Sequence, residues 1–194
     1  MKKKILIVDL IIKDFEYIYK KNFSVIFLWE ITDDIIYSEI EAVVVTGGFK
    51  TNITFLKKFK KLKIISIFGI GYDGVDIKYC KKNNILVTNT PDVLTNDVAD
   101  LALGLMISLS RSIHIGHNHI IKNIWSKSSL QLTDSLKNKK VGVVGMGNIG
   151  KSFAKKAKAL SLEVCYSGPN KKNVKYKYFN NLQKMAKEIN FLII

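Results

Sequence analysis

Short apolar runs rich in β-branched and aromatic residues recur at Ile5–Asp9, Ser24–Leu28, Ala42–Thr46, Lys63–Phe68 and Ile85–Thr88, each the length of a buried strand. Helix-like stretches separate several of them, at Lys13–Asn22, Ile53–Lys61 and Asp76–Asn83. This alternation predicts an α/β fold, a parallel sheet covered on both faces. After Pro91, Thr95 or Asn96 is placed to cap a long helix reaching about Ile121. Asp97 and Asp100 fall in its first turn, where the helix dipole favours negative charge. Asn123–Lys139 reads as a polar loop around Trp125. A second series then begins, with strands at Val141–Gly145, Glu163–Ser167 and Phe191–Ile194 and a helix over Lys151–Leu160. No internal repeat or low-complexity linker interrupts it, and two α/β units joined near residues 90–96 are expected.

With 194 residues and 47% hydrophobic content, the chain has ample material for packed cores. Its formal charge of +15 would suit nucleic acid or an acidic membrane surface. The make-up of that charge argues against both. Arg111 is the only arginine, and the lysines are scattered through every segment among abundant Ile and Asn, the residues of A/T-rich codons. Base readout and bidentate phosphate clamps call for arginine. Val98–Leu109, the longest apolar stretch, contains Asp100 and falls short of a membrane span. The basic start followed by Ile5–Val8 is too short before Asp9 for a signal peptide and reads as a first buried strand. Cys80 and Cys165 have neither metal-ligand spacing nor the density of a disulfide scaffold, so reduced cytoplasmic thiols are expected.

Two glycine loops carry candidate chemistry. Val141–Gly150 reads VGVVGMGNIG, an apolar strand running into Gly145-x-Gly147-x-x-Gly150 and then a helix. In a dinucleotide fingerprint the first glycine makes the tight turn and the second lets the backbone approach the pyrophosphate. The third lets helix and strand pack closely, and the helix N-terminus offers N–H groups to phosphate. The other loop is Phe68-Gly69-Ile70-Gly71-Tyr72-Asp73-Gly74-Val75-Asp76. The amides of Ile70 and Gly71 could converge there on a carboxylate. From the residues alone, a glycine-rich turn with Asp73 or Asp76 as helix cap explains the loop equally well.

Taken in order, Phe68–Asp76, Val87-Thr-Asn-Thr-Pro-Asp-Val-Leu-Thr-Asn-Asp-Val-Ala-Asp-Leu101, Trp125 and Leu136–Gly150 closely resemble the D-isomer-specific 2-hydroxyacid dehydrogenases, and most of all the glyoxylate/hydroxypyruvate reductase branch. The resemblance implies a flavodoxin-like substrate domain over residues 1–93 and a Rossmann-like NAD(P)-binding domain over 94–194. It implies that the amides of Ile70 and Gly71 hold the carboxylate of a small 2-keto or 2-hydroxy acid. It also puts Gly145, Gly147, Asn148, Ile149 and Gly150 along the pyrophosphate and Val98 near the nicotinamide. Family members are dimers held largely through the cofactor domain, and Trp125 resembles an aromatic that some relatives place near the partner's active site. As an alternative within the fold, phosphoglycerate, formate or D-lactate dehydrogenase stays open. So does a non-catalytic dinucleotide-binding interaction module.

An NAD-binding Rossmann unit usually ends its second strand with an acid that accepts from the ribose 2′-OH. Here that position offers Ser167 and Gly168, followed by Lys171 and Lys172, while Glu163 lies at the strand's start. The cofactor expected is therefore NADP in preference to NAD. Reduction of a 2-keto acid also needs a cation to hold and polarise the substrate and a general acid to protonate the new alkoxide. The family's Arg, Glu and His for these roles match chain beyond Ile194, so no catalytic residue is assigned. Neither is a metal site: His114, His117 and His119 have no nearby Cys or carboxylate ligand. The expectation is of an N-terminal fragment, inactive alone and cut within its third Rossmann strand, which would leave Val141–Gly145 as an exposed sheet edge.

Overall fold

A computed structural model describes residues 2–194 of the chain. They form two compact units that divide between Asp92 and Val93.

The first unit is a five-stranded parallel sheet in the order β2-β1-β3-β4-β5. Its strands are β1 (Lys3–Ile7), β2 (Phe23–Phe27), β3 (Ala42–Thr46), β4 (Ile64–Phe68) and β5 (Leu86–Thr88). Alternation along the strands sends Leu6, Val43, Val45, Ile65 and Ile67 to one core, with Leu56 and Cys80 packed over them. Ile5, Ile7 and Val44 go to the other face, under Ile12 and Phe27. Connecting helices are shorter than the sequence suggests. The stretch read as a helix at Lys13–Asn22 is a 3-10 turn at Leu10–Phe15 followed by α1 (Glu16–Lys20), and Ile53–Lys61 yields only α2 (Ile53–Leu56). Asp76 caps α3 (Ile77–Lys82), accepting from the Tyr79 amide at 2.9 Å.

The second unit is a four-stranded parallel sheet in the order β8-β7-β6-β9. It comprises β6 (Lys140–Val144), β7 (Glu163–Ser167), β8 (Lys177–Phe179) and β9 (Phe191–Ile193). Val141 and Val143 of β6 face a core built with Ala99 and Met106 of α4 (Thr95–Ser110) and with Phe153, Ala154 and Ala157 of α6 (Asn148–Ala159). On the other face a Cβ at Gly142 would crowd Met185 of α7 (Leu182–Ala186) and Ile189. Those atoms are side-chain ends, so this face of β6 is closely packed but has some room to adjust.

Three expectations are corrected. The long helix does not run unbroken from Thr95 to Ile121. It stops at Ser110, and Ser112 takes a left-handed conformation (φ 51°, ψ 37°) before α5 (Ile113–Ile121) leaves at a bend of 64°. Its N-cap is Leu94, with no side-chain cap bond, and Asn96 instead accepts from the Ser152 hydroxyl of α6 at 2.7 Å. Finally, Phe191–Ile193 is the fourth strand of its unit and not the third. It pairs with β6, so the glycine-bearing strand is flanked on both sides and is no edge. The third strand is the three-residue β8, too short and too lysine-rich to stand out as an apolar run. Among the described residues no single helix is long and apolar enough to cross a membrane.

Candidate functional site

At the end of β6 the chain turns at Gly145, whose φ of +92° favours glycine, and the Gly145 amide donates to the Ser167 carbonyl at the end of β7 at 2.8 Å. A Cβ on Gly150 would lie well inside 3.0 Å of the Gly145 carbonyl oxygen, so the third glycine lets α6 start directly over the strand end. Gly147 differs. Its φ of −82° is open to any residue, and nothing stands within 4 Å of where its Cβ would be. Internal packing therefore gives no reason for glycine at 147, whereas an external group approaching the backbone does. Beside it, the first-turn amides of α6, including those of Ile149 and Gly150, have no acceptor within the helix. Asn148 opens that turn.

The end of β7 completes this side. Ser167 is buried, and the exposed turn Pro169–Lys172 follows Gly168. Glu163 lies at the opposite end of β7, its carboxylate 3.6 Å from the Lys140 ammonium. Lys171 forms no ion pair among the described residues. Val98 is partly exposed on the first turn of α4, which is fastened to α6 by the Asn96–Ser152 bond and by a short ion pair between Asp100 and Lys156. The strand ends thus bring Gly145, Gly147, Asn148, Ile149, Gly150, Ser167 and Gly168 together, with Val98 carried by the helix docked beside them.

In the first unit, Gly69 has φ +145° and its carbonyl accepts from the Thr90 amide at 3.0 Å; the Ile70 carbonyl accepts from the Asn89 side chain at 2.9 Å. The amides of Ile70 and Gly71 donate to no acceptor among the described residues. Two N–H groups next to one another are thereby open to an anion. A feature the sequence reading missed supports this loop from below. Gly47 and Gly74 let two backbone turns touch: the Gly74 amide donates to the Gly47 carbonyl at 3.1 Å, and a Cβ on either glycine would overlap a carbonyl oxygen. The Gly47-Gly48 pair after an apolar strand was the available signal.

The remaining candidates lie elsewhere. Arg111 donates from Nε to the Thr133 hydroxyl at 2.9 Å and lines a cavity with Lys139, Asn190 and Phe191. Those residues mark the starts of β6 and β9, so the only arginine lies at the end of the sheet away from the glycine turn. His114, His117 and His119 ride on α5, with His119 Nε2 2.8 Å from the Ser128 carbonyl oxygen. Among the described residues no three His, Cys, Asp or Glu side chains gather as metal ligands. Burial, helped by Asp76, pushes the Cys80 thiol up, and burial, helped by Glu188, does the same to Cys165. Both are held as thiols rather than nucleophilic thiolates.

Residues 5–190 match the family profile described as D-isomer specific 2-hydroxyacid dehydrogenase, catalytic domain. The chain belongs to this family. Among curated 2-hydroxyacid dehydrogenases, glyoxylate/hydroxypyruvate reductase A of Arabidopsis thaliana is 34% identical over 90% of this chain and 58% of its own length. The chain spans about half the length of the curated relatives it matches. A 2-hydroxyacid dehydrogenase of Ketogulonicigenium vulgare superposes with a TM-score of 0.92 at 28% identity, over 99% of this chain and 63% of its own. An NADPH-dependent glyoxylate/hydroxypyruvate reductase of Sinorhizobium meliloti, solved with NADP and malonate, gives a TM-score of 0.88 at 27% identity, covering 99% and 61%.

Proposed function

We propose that this 2-hydroxyacid dehydrogenase chain belongs to a cytoplasmic NADP-preferring reductase of glyoxylate or hydroxypyruvate, with its substrate-binding part at residues 1–93 and its cofactor-binding part at 94–194. The observation that carries the cofactor reading is Gly147, a glycine required by neither φ nor packing and standing at the N-terminus of α6. The amides of Asn148, Ile149 and Gly150 hold the pyrophosphate, Gly145 and Gly147 give it room, and Val98 contacts the nicotinamide ring. When bound, the nicotinamide supplies or accepts the hydride. Ser167, Gly168 and Lys171 receive the ribose 2′-phosphate. The absence of any acid at the end of β7 favours the phosphorylated ribose, since a carboxylate there would repel it. Ile70 and Gly71 hold the substrate carboxylate with their two open amides.

Residues 1–194 by themselves bind the dinucleotide without turnover. The only arginine lies at the far end of its sheet and the histidines sit on α5, so neither residue type stands at the glycine turn, which supports this reading. Purified chain should bind NADPH by fluorescence titration. Lys171→Ala should weaken NADPH about tenfold, as loss of one charge-assisted contact does, and leave NADH unchanged. Absence of NADPH binding would sink the cofactor assignment. NADPH oxidation dependent on hydroxypyruvate or glyoxylate would sink the assignment of catalysis to other residues.

The assembly is a homodimer. Leu101, Leu105 and Leu109 form a ridge along α4 and are 62–67% exposed, a stripe that the unit's own core does not use. Sedimentation equilibrium should give a mass of two chains, and Leu105→Asp should reduce it to one. A monomeric wild type would exclude this interface.

A further inference from the structure

The turn after β7 is held from outside rather than by itself. No backbone hydrogen bond closes Gly168–Lys172 internally, and Pro169, Asn170, Lys171 and Lys172 are exposed. Its two ends are nevertheless fixed by tyrosine hydroxyls from neighbouring strands. Tyr178 of β8 donates to the Gly168 carbonyl at 2.9 Å. Tyr166 of β7 accepts from the Lys172 amide at 2.8 Å and donates to the Lys172 carbonyl at 3.2 Å. Packing accounts for the rings but not for these hydroxyls. The two rings lie 5.2 Å apart in the core of the unit, and phenylalanine at either position would fill the same space.

Charge gives the bracing a purpose. No acidic residue occurs between Glu163 and Glu188, and neither Lys171 nor Lys172 is engaged in an ion pair among the described residues. A lysine is a point charge on a flexible stem, without the planar fork by which arginine selects a phosphate's orientation. In a chain with no arginine in this turn, direction has to come from the backbone that carries the lysine. A turn already fixed in the folded protein also avoids the ordering cost that a loose one meets on binding.

We propose that Tyr166 and Tyr178 are positioning residues that brace the 168–172 turn so that Lys171 meets a ribose 2′-phosphate, and that they thereby set the preference for a phosphorylated dinucleotide. This assignment rests on the cofactor reading above. It adds that discrimination depends on two hydroxyls that touch no ligand.

The test uses 2′,5′-ADP and 5′-AMP as probes in calorimetric titrations of the whole chain carrying Tyr166→Phe or Tyr178→Phe. Each variant should weaken 2′,5′-ADP about 3- to 10-fold, the size of one or two lost hydrogen bonds, while 5′-AMP binding stays unchanged. Exchange of the Lys172 amide should accelerate in Tyr166→Phe, since its acceptor is gone. Equal weakening of both probes would show a merely structural role and overturn the proposal, as would unchanged 2′,5′-ADP affinity. If Tyr166→Phe fails to fold, Tyr178→Phe, on a less buried ring, carries the same comparison. A wild type that binds 5′-AMP as tightly as 2′,5′-ADP removes the 2′-phosphate preference and this assignment but leaves the dinucleotide site standing. A wild type that binds neither removes both.

Discussion

Gly150→Ala should destabilise the second unit by about 3 kcal/mol, the upper end of overpacking costs, and abolish measurable dinucleotide binding. The added methyl would overlap the Gly145 carbonyl oxygen and crowd the Val143 side chain. The carbonyl belongs to a turn held by the Gly145–Ser167 bond, so neither α6 nor the turn can yield without loss. For a unit of this size the melting temperature should fall by roughly 10–20 °C. Gly147→Ala is the counterpart. Its methyl points into open space and its φ is compatible with alanine, so the melting temperature should fall by no more than about 5 °C, the cost of a poorer helix cap. Affinity for NADPH should still drop by about tenfold or more, because the methyl stands where the phosphate must come. Stability lost at 150 and binding lost at 147 is the pattern of a site in which one glycine serves the protein and the other serves its ligand. A Gly147→Ala chain that binds like wild type would remove the main support for the cofactor reading.

The first unit has an equally sharp contrast. Gly74→Ala should cost about 3 to 4 kcal/mol, from overpacking plus the hydrogen bonds displaced with it. A Cβ at Gly74 overlaps the carbonyl oxygens of both Phe49 and Gly47. The Gly74 carbonyl also accepts from the amide of the fully buried Thr51 at 2.8 Å and from its hydroxyl at 3.3 Å. Gly48→Ala, with nothing within 4 Å, should leave stability unchanged in urea unfolding, and so should Gly71→Ala, where the nearest atom is an Asp73 carboxylate oxygen at 3.9 Å. Should Gly74→Ala unfold at the wild-type urea midpoint, the two turns do not brace each other.

How much of this was legible in the sequence follows from how local each signal is. Val141–Gly150 could be read because strand, turn and helix are consecutive, and the reasons for Gly145 and Gly150 lie within ten residues of chain. The Gly47–Gly74 contact could not, because what demands glycine at 74 is a backbone folded in from twenty-five positions away. The break after Ser110 was equally hidden. Leu109-Ser-Arg-Ser-Ile113 contains neither Gly nor Pro, and a serine bears the left-handed conformation that ends the helix. Between Ser167 and Phe191 the spacing of lysine and asparagine masks β8 and α7, and that omission made the fourth strand look like the third. The glycine loop itself pointed to the Ile70 and Gly71 amides as an anion site, no more strongly than to a capped turn, and resemblance tied them to a substrate carboxylate; that they meet no acceptor became apparent only in the fold, where Asn89 and Thr90 occupy the neighbouring carbonyls. The tyrosine braces had no sequence signature, since an aromatic in a strand reads first as core.

The bond between the Gly145 amide and the Ser167 carbonyl joins main chain to main chain across adjacent parallel strands. The interval between the turn at 145 and the turn at 168 is therefore written into peptide geometry and not into any side chain. Residues 169 to 172 can drift through mutation, gaining or losing charge, while that interval stays constant. On the cofactor reading proposed above, a change of charge in this turn would alter which end group is preferred without altering how far that group stands from the glycine turn.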